Sequence, residues 1–202
     1  MTQINRLLSN DNNVKPILFT ENHDEPRAVE AFGGKAPSQA AAVMTALVPK
    51  SVWMVHMGQD EGREVKIPMQ VNRLPTDEIV DTELVQWYQM LLSIRNSTLF
   101  QKGKATTLDH SQLDEGIIAL QVDLQGSGAI VCTNYSDHLA AGMIPVSNIQ
   151  DLRLYDLATN TWMYGSKIAK PDDNGMMYIK LGPWQSQMVF YSGHGANSQS
   201  GS

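Results

Sequence analysis

The stretch FTENHDEPRA, residues 19–28, follows the apolar run Val14–Leu18 and sets Glu21, His23, Asp24 and Glu25 within five positions. Polar groups gathered where a strand-like run ends fit three chemistries: a metal site, a catalytic acid/base cluster or a solvated loop. The stretch alone leaves all three open, and the flanking sequence has to choose among them.

Working outward, residues before about 100 alternate strand-like and helix-like patterns. Pro16 to Phe19 is a short apolar run. The alanine-rich stretch Ser38–Val48 predicts a helix capped by Ser38 and closed by Pro49. Ser51–Met57, SVWMVHM, is a β-branched and aromatic run ended by Gly58. Between Thr82 and Asn96 a longer helix is expected, because Leu84, Trp87, Tyr88, Leu91 and Leu92 recur on one helical face. Strand, helix, strand, helix is the grammar of parallel α/β structure. Beyond residue 100 the runs Gly116–Val122, Ala129–Thr133, Leu152–Leu157, Met176–Leu181 and Met188–Tyr191 are separated by QGSG, NYSD, ATN and PDDNG. Short runs divided by turn chemistry predict an antiparallel β domain. The final HGANSQSGS reads as a frayed tail.

Composition narrows the function classes. The chain has 202 residues, 42% of them hydrophobic, which is enough for a packed core. A net charge of −6 without a Lys/Arg cluster argues against nucleic acid or an anionic membrane as partner. One cysteine, Cys132, excludes an internal disulfide framework, and its apolar surroundings make it a buried small hydrophobe. No apolar run reaches the ~20 residues of a membrane span. The N-terminus has no signal-peptide core, so a cytoplasmic protein is expected, with any export signal lying upstream of this segment.

With these elements in place, FTENHDEPRA resembles the motif that closes barrel strand seven in the α-amylase family, glycoside hydrolase family 13. Phe19, Asn22, His23 and Asp24 match its aromatic-x-x-Asn-His-Asp pattern. The order downstream is similar as well: a small-residue helix, a strand ending in Gly58-Gln59-Asp60-Glu61, and the L-x-x-x-R helix end LLSIRNSTLF, Leu91–Phe100. LGPWQSQMVF, residues 181–190, resembles the last strands of the family's C-terminal domain. The resemblance implies an α/β plus all-β fold. Residues 1–98 would be the end of a (β/α)8 TIM barrel (about its last two βα units), 99–192 an antiparallel β-sandwich domain, and 193–202 a flexible tail.

In such a barrel, functional groups sit at the C-terminal ends of the strands. The resemblance implies that Asp24 is the transition-state stabiliser of a retaining glycosidase or transglycosylase acting on α-glucans. It makes His23 a donor to the same sugar ring, with Asn22 orienting the turn and Arg27 flanking it as a further substrate-binding residue. The physical logic is that glycoside hydrolysis passes through an oxocarbenium-like state, in which hydrogen bonds to sugar hydroxyls tighten. No cofactor is implied. Zinc wants three or four protein ligands, and His56, His110, His138 and His194 show no spacing that supplies them.

The departure from the family is as informative as the match. A retaining mechanism needs a nucleophile and a general acid about 5–5.5 Å apart, which the family places on strands four and five. Only about a dozen residues precede the strand-seven motif, and a full barrel runs to ~250. The isolated chain is therefore expected to be inactive until a partner α-glucan enzyme segment completes it. The alternatives are a non-catalytic carbohydrate-binding or structural module and a truncated inactive fragment. Unpaired strand edges and the apolar face Leu84–Leu92 further predict self-association or binding to the missing barrel segment.

Overall fold

The computed structural model describes residues 15–68, 77–109, 111–146, 149–163 and 170–193. His110, His194 and the stretch 194–202 of the expected tail lie outside the described residues.

The N-terminal half begins with a parallel strand pair. Strand β1 (Ile17–Leu18) is followed by helices α1 (Ala28–Ala31) and α2 (Lys35–Ala46), which carry the chain back to β2 (Val52–Trp53). Ile17 pairs with Val52 and Leu18 with Trp53. Bonds from Val52 N to the Pro16 carbonyl (2.8 Å) and from Met54 N to the Leu18 carbonyl (2.9 Å) extend the ladder at both ends. Parallel pairing requires such a helical crossover.

Helix α2 starts three residues before the expected Ser38 cap. Its N-cap is Gly34 at φ 142°, a conformation open to glycine. Pro37 sits in the first turn, where its missing N–H has no intrahelical partner to lose. Ser38 lies inside the helix, its hydroxyl donating to the Lys35 carbonyl (2.7 Å). Ala40, Ala41, Ala42, Val43, Met44 and Ala46 are all buried, as expected of a helix apolar on every side.

Helix α3 (Thr82–Arg95) buries Leu84, Trp87, Tyr88 and Leu91, whereas Leu92, expected on the same face, is 39% exposed. Asp81 caps its start by accepting from Leu84 N (2.9 Å), and Lys35 donates to the other carboxylate oxygen (2.6 Å). That pair joins the first turns of α2 and α3. At the other end the buried Arg95 gathers backbone oxygens from three places. It donates to the carbonyls of Val48 (2.9 Å), Phe100 (3.3 Å) and Ser51, and to the Ser51 hydroxyl (3.2 Å). The arginine of the L-x-x-x-R pattern thus locks α3 to the α2–β2 connection and to α4 (Thr98–Lys102).

The remainder is open antiparallel sheet. Strands β3 (Lys104–Thr107), β4 (Ile117–Leu124), β5 (Ser127–Asn134), β10 (Ser186–Gly193), β7 (Ile149–Asp156) and β8 (Thr161–Met163) follow one another in that spatial order. Strands β6 (Ala140–Pro145) and β9 (Met176–Leu181) form a separate ribbon. A two-residue turn joins β4 to β5, with Gln125 at φ 52° and Gly126 at φ 83°, the left-handed pair that matches hairpin twist. β10 runs one residue into the expected tail.

Both faces of the larger sheet are covered, and this fixes the pattern of β4 and β5. Leu120, Val122, Ala129, Val131 and Met188 pack against helices α2 and α3. Ile117, Ala119, Ile130, Cys132 and Val189 alternate with them and pack against Ile144, Met177, Ile179 and Leu181 of the ribbon. A strand buried on both sides reads as an unbroken apolar run, as GAIVCT does. Burial pushes the Cys132 thiol up to about 12. Two long-range bonds stitch helix to sheet: Trp87 Nε1 to the Leu157 carbonyl (2.8 Å) and the Tyr135 hydroxyl to the Ala40 carbonyl (3.0 Å). The apolar face of α3 is therefore covered by the chain's own sheet, contrary to the expectation that it stays open. Among the exposed apolar side chains, Ile17 (60%), Phe19, Val52 and Met57 lie on and beside the strand pair.

Two outcomes follow from this packing. Asp81 is held below the usual carboxylate range by the Lys35 hydrogen bond and then by the Leu84 N–H. Its contribution is complete above an ordinary carboxylate pKa of ~3.9 and fades as pH falls through the lower folded value. Partial exposure screens the Lys35 pair. Asp81→Ala should cost about 1 kcal/mol of capping stability near neutrality and flatten the acid limb of a denaturation series. In native-state hydrogen exchange, β4 and β10 should outlast Ile17–Thr20, whose two-residue ladder borders solvent.

Candidate functional site

The two parallel strands end side by side, and the chain leaving each contributes to one buried polar cluster. Glu21, three residues past β1, is 1% exposed. One carboxylate oxygen accepts from the Arg27 guanidinium (3.0 Å) and lies 3.3 Å from His56 Nδ1. The other accepts from Ala28 N (2.5 Å) at the start of α1. Arg27, equally buried, spends its remaining donors on the carbonyls of Met57 (3.2 and 3.1 Å) and Arg63 (3.1 Å), with His56 Nδ1 at 2.9 Å. A buried charge is tolerated only when paired and hydrogen-bonded, and here both conditions are met.

Gln59 braces the same region from below. It is buried, donating to the Thr20 hydroxyl (2.6 Å) and the Tyr88 hydroxyl (2.9 Å), while its oxygen accepts from His56 N (3.1 Å). The loops after β1 and β2 are thereby tied to helix α3. Burial raises the Tyr88 phenol above its ordinary value, so it stays a neutral partner for Gln59.

On this base rides the Asn22–Glu25 turn. Asn22 Oδ1 accepts from Asp24 N (2.8 Å) and Glu25 N (3.0 Å), an Asx turn that fixes the local backbone. Lys66 Nζ donates to the Asp24 carbonyl (2.5 Å). The side chains of His23 and Asp24 stand together above it, His23 Nε2 to Asp24 Oδ1 3.4 Å, at 65% and 67% exposure. An exposed carboxylate beside an imidazole on a fixed turn can accept from two hydroxyls and donate to a third. Among the described residues no three His, Cys, Asp or Glu side chains converge on a metal position.

The four residues singled out by sequence therefore fall into two layers. Asn22, His23 and Asp24 form the surface turn. Arg27 lies beneath it, sealed from solvent, where sequence reasoning expected it to flank the turn and touch substrate. Glu21 and His56 complete that lower layer. Sequence reasoning counted Glu21 in the acidic cluster without assigning it the pairing with Arg27. The one available signal was an acid closing the strand with an arginine six residues on, across Pro26.

Removing one partner of such a pair leaves the other charged and buried. Arg27→Met should destabilise the protein by about 3–5 kcal/mol, measured by urea denaturation. Asp24→Asn, at an exposed position, should stay within ~0.5 kcal/mol of the parent.

No family model and no curated protein sequence matches the chain. Solved structures do. The maltogenic α-amylase AmyB from Thermotoga neapolitana superposes with a TM-score of 0.74 at 16% identity, over 94% of this chain and 45% of that one. The α-amylase from H. orenii gives 0.67 at 16% identity, over 90% and 41%. AmyP, solved in complex with maltose, gives 0.65 at 17% identity, over 94% and 43%. The chain spans less than half the length of each. It has the fold of the C-terminal portion of α-amylases.

Proposed function

We propose that the chain is the C-terminal portion of an α-amylase-family glycoside hydrolase or transglycosylase that acts on α-glucans with retention. In this reading residues 1–98 are the last βα units of a (β/α)8 barrel. Residues 99–192 are its C-terminal β domain, a sandwich in which the six-stranded sheet faces the β6–β9 ribbon, and 193–202 are a tail. The observation that carries the reading is the two-layer strand end: a buried Glu21–Arg27–His56 base beneath an exposed His23–Asp24 pair, on the C-terminal side of parallel strands, where barrel enzymes keep their chemistry. The fold shared with α-amylases supports it.

Asp24 is assigned as the transition-state stabiliser. Its carboxylate holds two hydroxyls of the reacting glucosyl unit and gains as positive charge develops on the ring. His23 donates to the same ring, Asn22 fixes the turn, and Arg27 acts through Glu21 by holding the base rigid. The nucleophile and general acid come from segments outside these 202 residues, and the exposed apolar rim at Ile17, Phe19, Val52 and Met57 is where the completing barrel segment, or a second copy, packs. The strongest ligand candidate is an α-glucan oligosaccharide, consistent with the maltose complex of AmyP.

In a complete enzyme containing this segment, Asp24→Asn should lower kcat by about 10²–10³-fold, the size of one lost transition-state contact, with unchanged melting temperature. An unaltered kcat would reduce Asp24 to a loop residue. The 202-residue chain alone should release no product from a chromogenic maltoside, and turnover surviving rigorous repurification would refute the assignment of the missing carboxylates.

A further inference from the structure

A cavity lies apart from the strand-end turn, where helix α2 meets the β strands. It measures about 250 Å³, and its lining includes Gln39, Val43, Trp87, Leu157 and Trp184. Its floor is fixed, because the Trp87 indole is tied to the Leu157 carbonyl (2.8 Å). Its lining also holds two partly exposed polar side chains, the Gln39 amide and the Trp184 indole.

Trp184 is the telling residue. It occupies the third position of the turn Gly182-Pro183-Trp184-Gln185, closed by Gln185 N donating to the Gly182 carbonyl (3.2 Å). Pro183 suits the second position of such a turn, but Trp184 has φ 56°, where glycine is strongly preferred. Side chains held in left-handed backbone cost energy, and such residues cluster where a site needs them. Here the strained position sets a large aromatic side chain in the cavity lining, which it shares with the Gln39 amide.

We propose that this cavity is a binding site for one neutral hexopyranose unit, a glucosyl residue of an α-glucan. The chemistry points to a sugar because a sugar ring presents one apolar face for an indole and an equatorial edge of hydroxyls for an amide and an N–H. The charged residue in the lining, Asp156, already accepts from Ala158 N, Thr159 N and the Gln185 amide. An anionic ligand therefore has no counter-charge there, and a cation would have to compete with three donors for Asp156. The volume falls just under the ~300–1,000 Å³ of pockets for drug-sized ligands, so it admits one ring rather than a chain. The choice of glucose rests on the α-glucan reading above; the choice of a sugar does not.

The test is maltose titration of the full 202-residue chain, followed by intrinsic tryptophan fluorescence and by saturation-transfer NMR. Saturable binding is expected. Trp184→Gly removes the ring while supplying the residue the turn prefers, and should weaken binding about tenfold, the size of one lost ring contact. Gln39→Ala, a favourable helix substitution, should weaken it severalfold, and both variants should melt no lower than the parent. Binding should persist in Asp24→Asn. Absence of saturable binding, or equal binding in Trp184→Gly, overturns the proposal. Binding lost in Asp24→Asn and kept in Trp184→Gly overturns it too, while leaving the strand-end reading intact.

Discussion

The candidate site stands on one ion pair, Glu21 with Arg27, sealed from water at the ends of two short parallel strands. Two strands of two residues each have almost no ladder of their own, so they need a cross-link beyond backbone pairing. Glu21 supplies it from the β1 side and Arg27 reaches the Met57 carbonyl on the β2 side, with His56 between them. Because both charges are fully desolvated, the pair tolerates little misalignment. That rigidity is passed to the Asn22–Glu25 turn, which begins one residue after Glu21. The turn thus inherits its position from charges that never touch solvent.

A second constraint organises the rest. The six-stranded sheet is buried on both faces, by helices on one and a ribbon on the other, so the helical half and the β half share a core. Leu84, Trp87 and Leu91 belong to the same apolar cluster as Leu120, Val131 and Met188. Arg95 plays for the helical layer the role that Arg27 plays for the strands: a buried guanidinium whose forked donors satisfy carbonyls from several segments at once. Lysine, with a point charge and no fork, does not replace either of them.

Much of this was legible in the sequence, for reasons particular residues make clear. The strand, helix, strand, helix order and the α3 face showed because Leu84, Trp87, Tyr88 and Leu91 follow the helical period. The principal β-strands showed because apolar runs were divided by turn residues, as at Gln125-Gly126. Strands β3, β6 and β8 did not show: Lys104–Thr107 is mostly polar, Ala140–Pro145 carries Gly and Pro, and Thr161–Met163 is only three residues. The start of α2 was misplaced because Ser38 is a good capping residue, and the Gly33-Gly34 pair and Pro37 outranked it. At the site, Asn22, His23 and Asp24 were found by pattern. The burial of Arg27 was not, because a sequence shows an arginine beside acids without showing which carbonyls lie within reach of its donors.

The Trp87–Leu157 hydrogen bond and the sheet face it closes have a consequence for how such chains are recombined. A cut between the helical and β halves leaves each with an open face, α3 without its sheet and the sheet without its helices. Chimeras that graft this sheet onto another protein should carry residues 35–102 along with it, or redesign the two surfaces as a matched pair. The portable unit is therefore the sheet together with the helices α2, α3 and α4, and the seam in the molecule lies on the far side of them, at the strand pair.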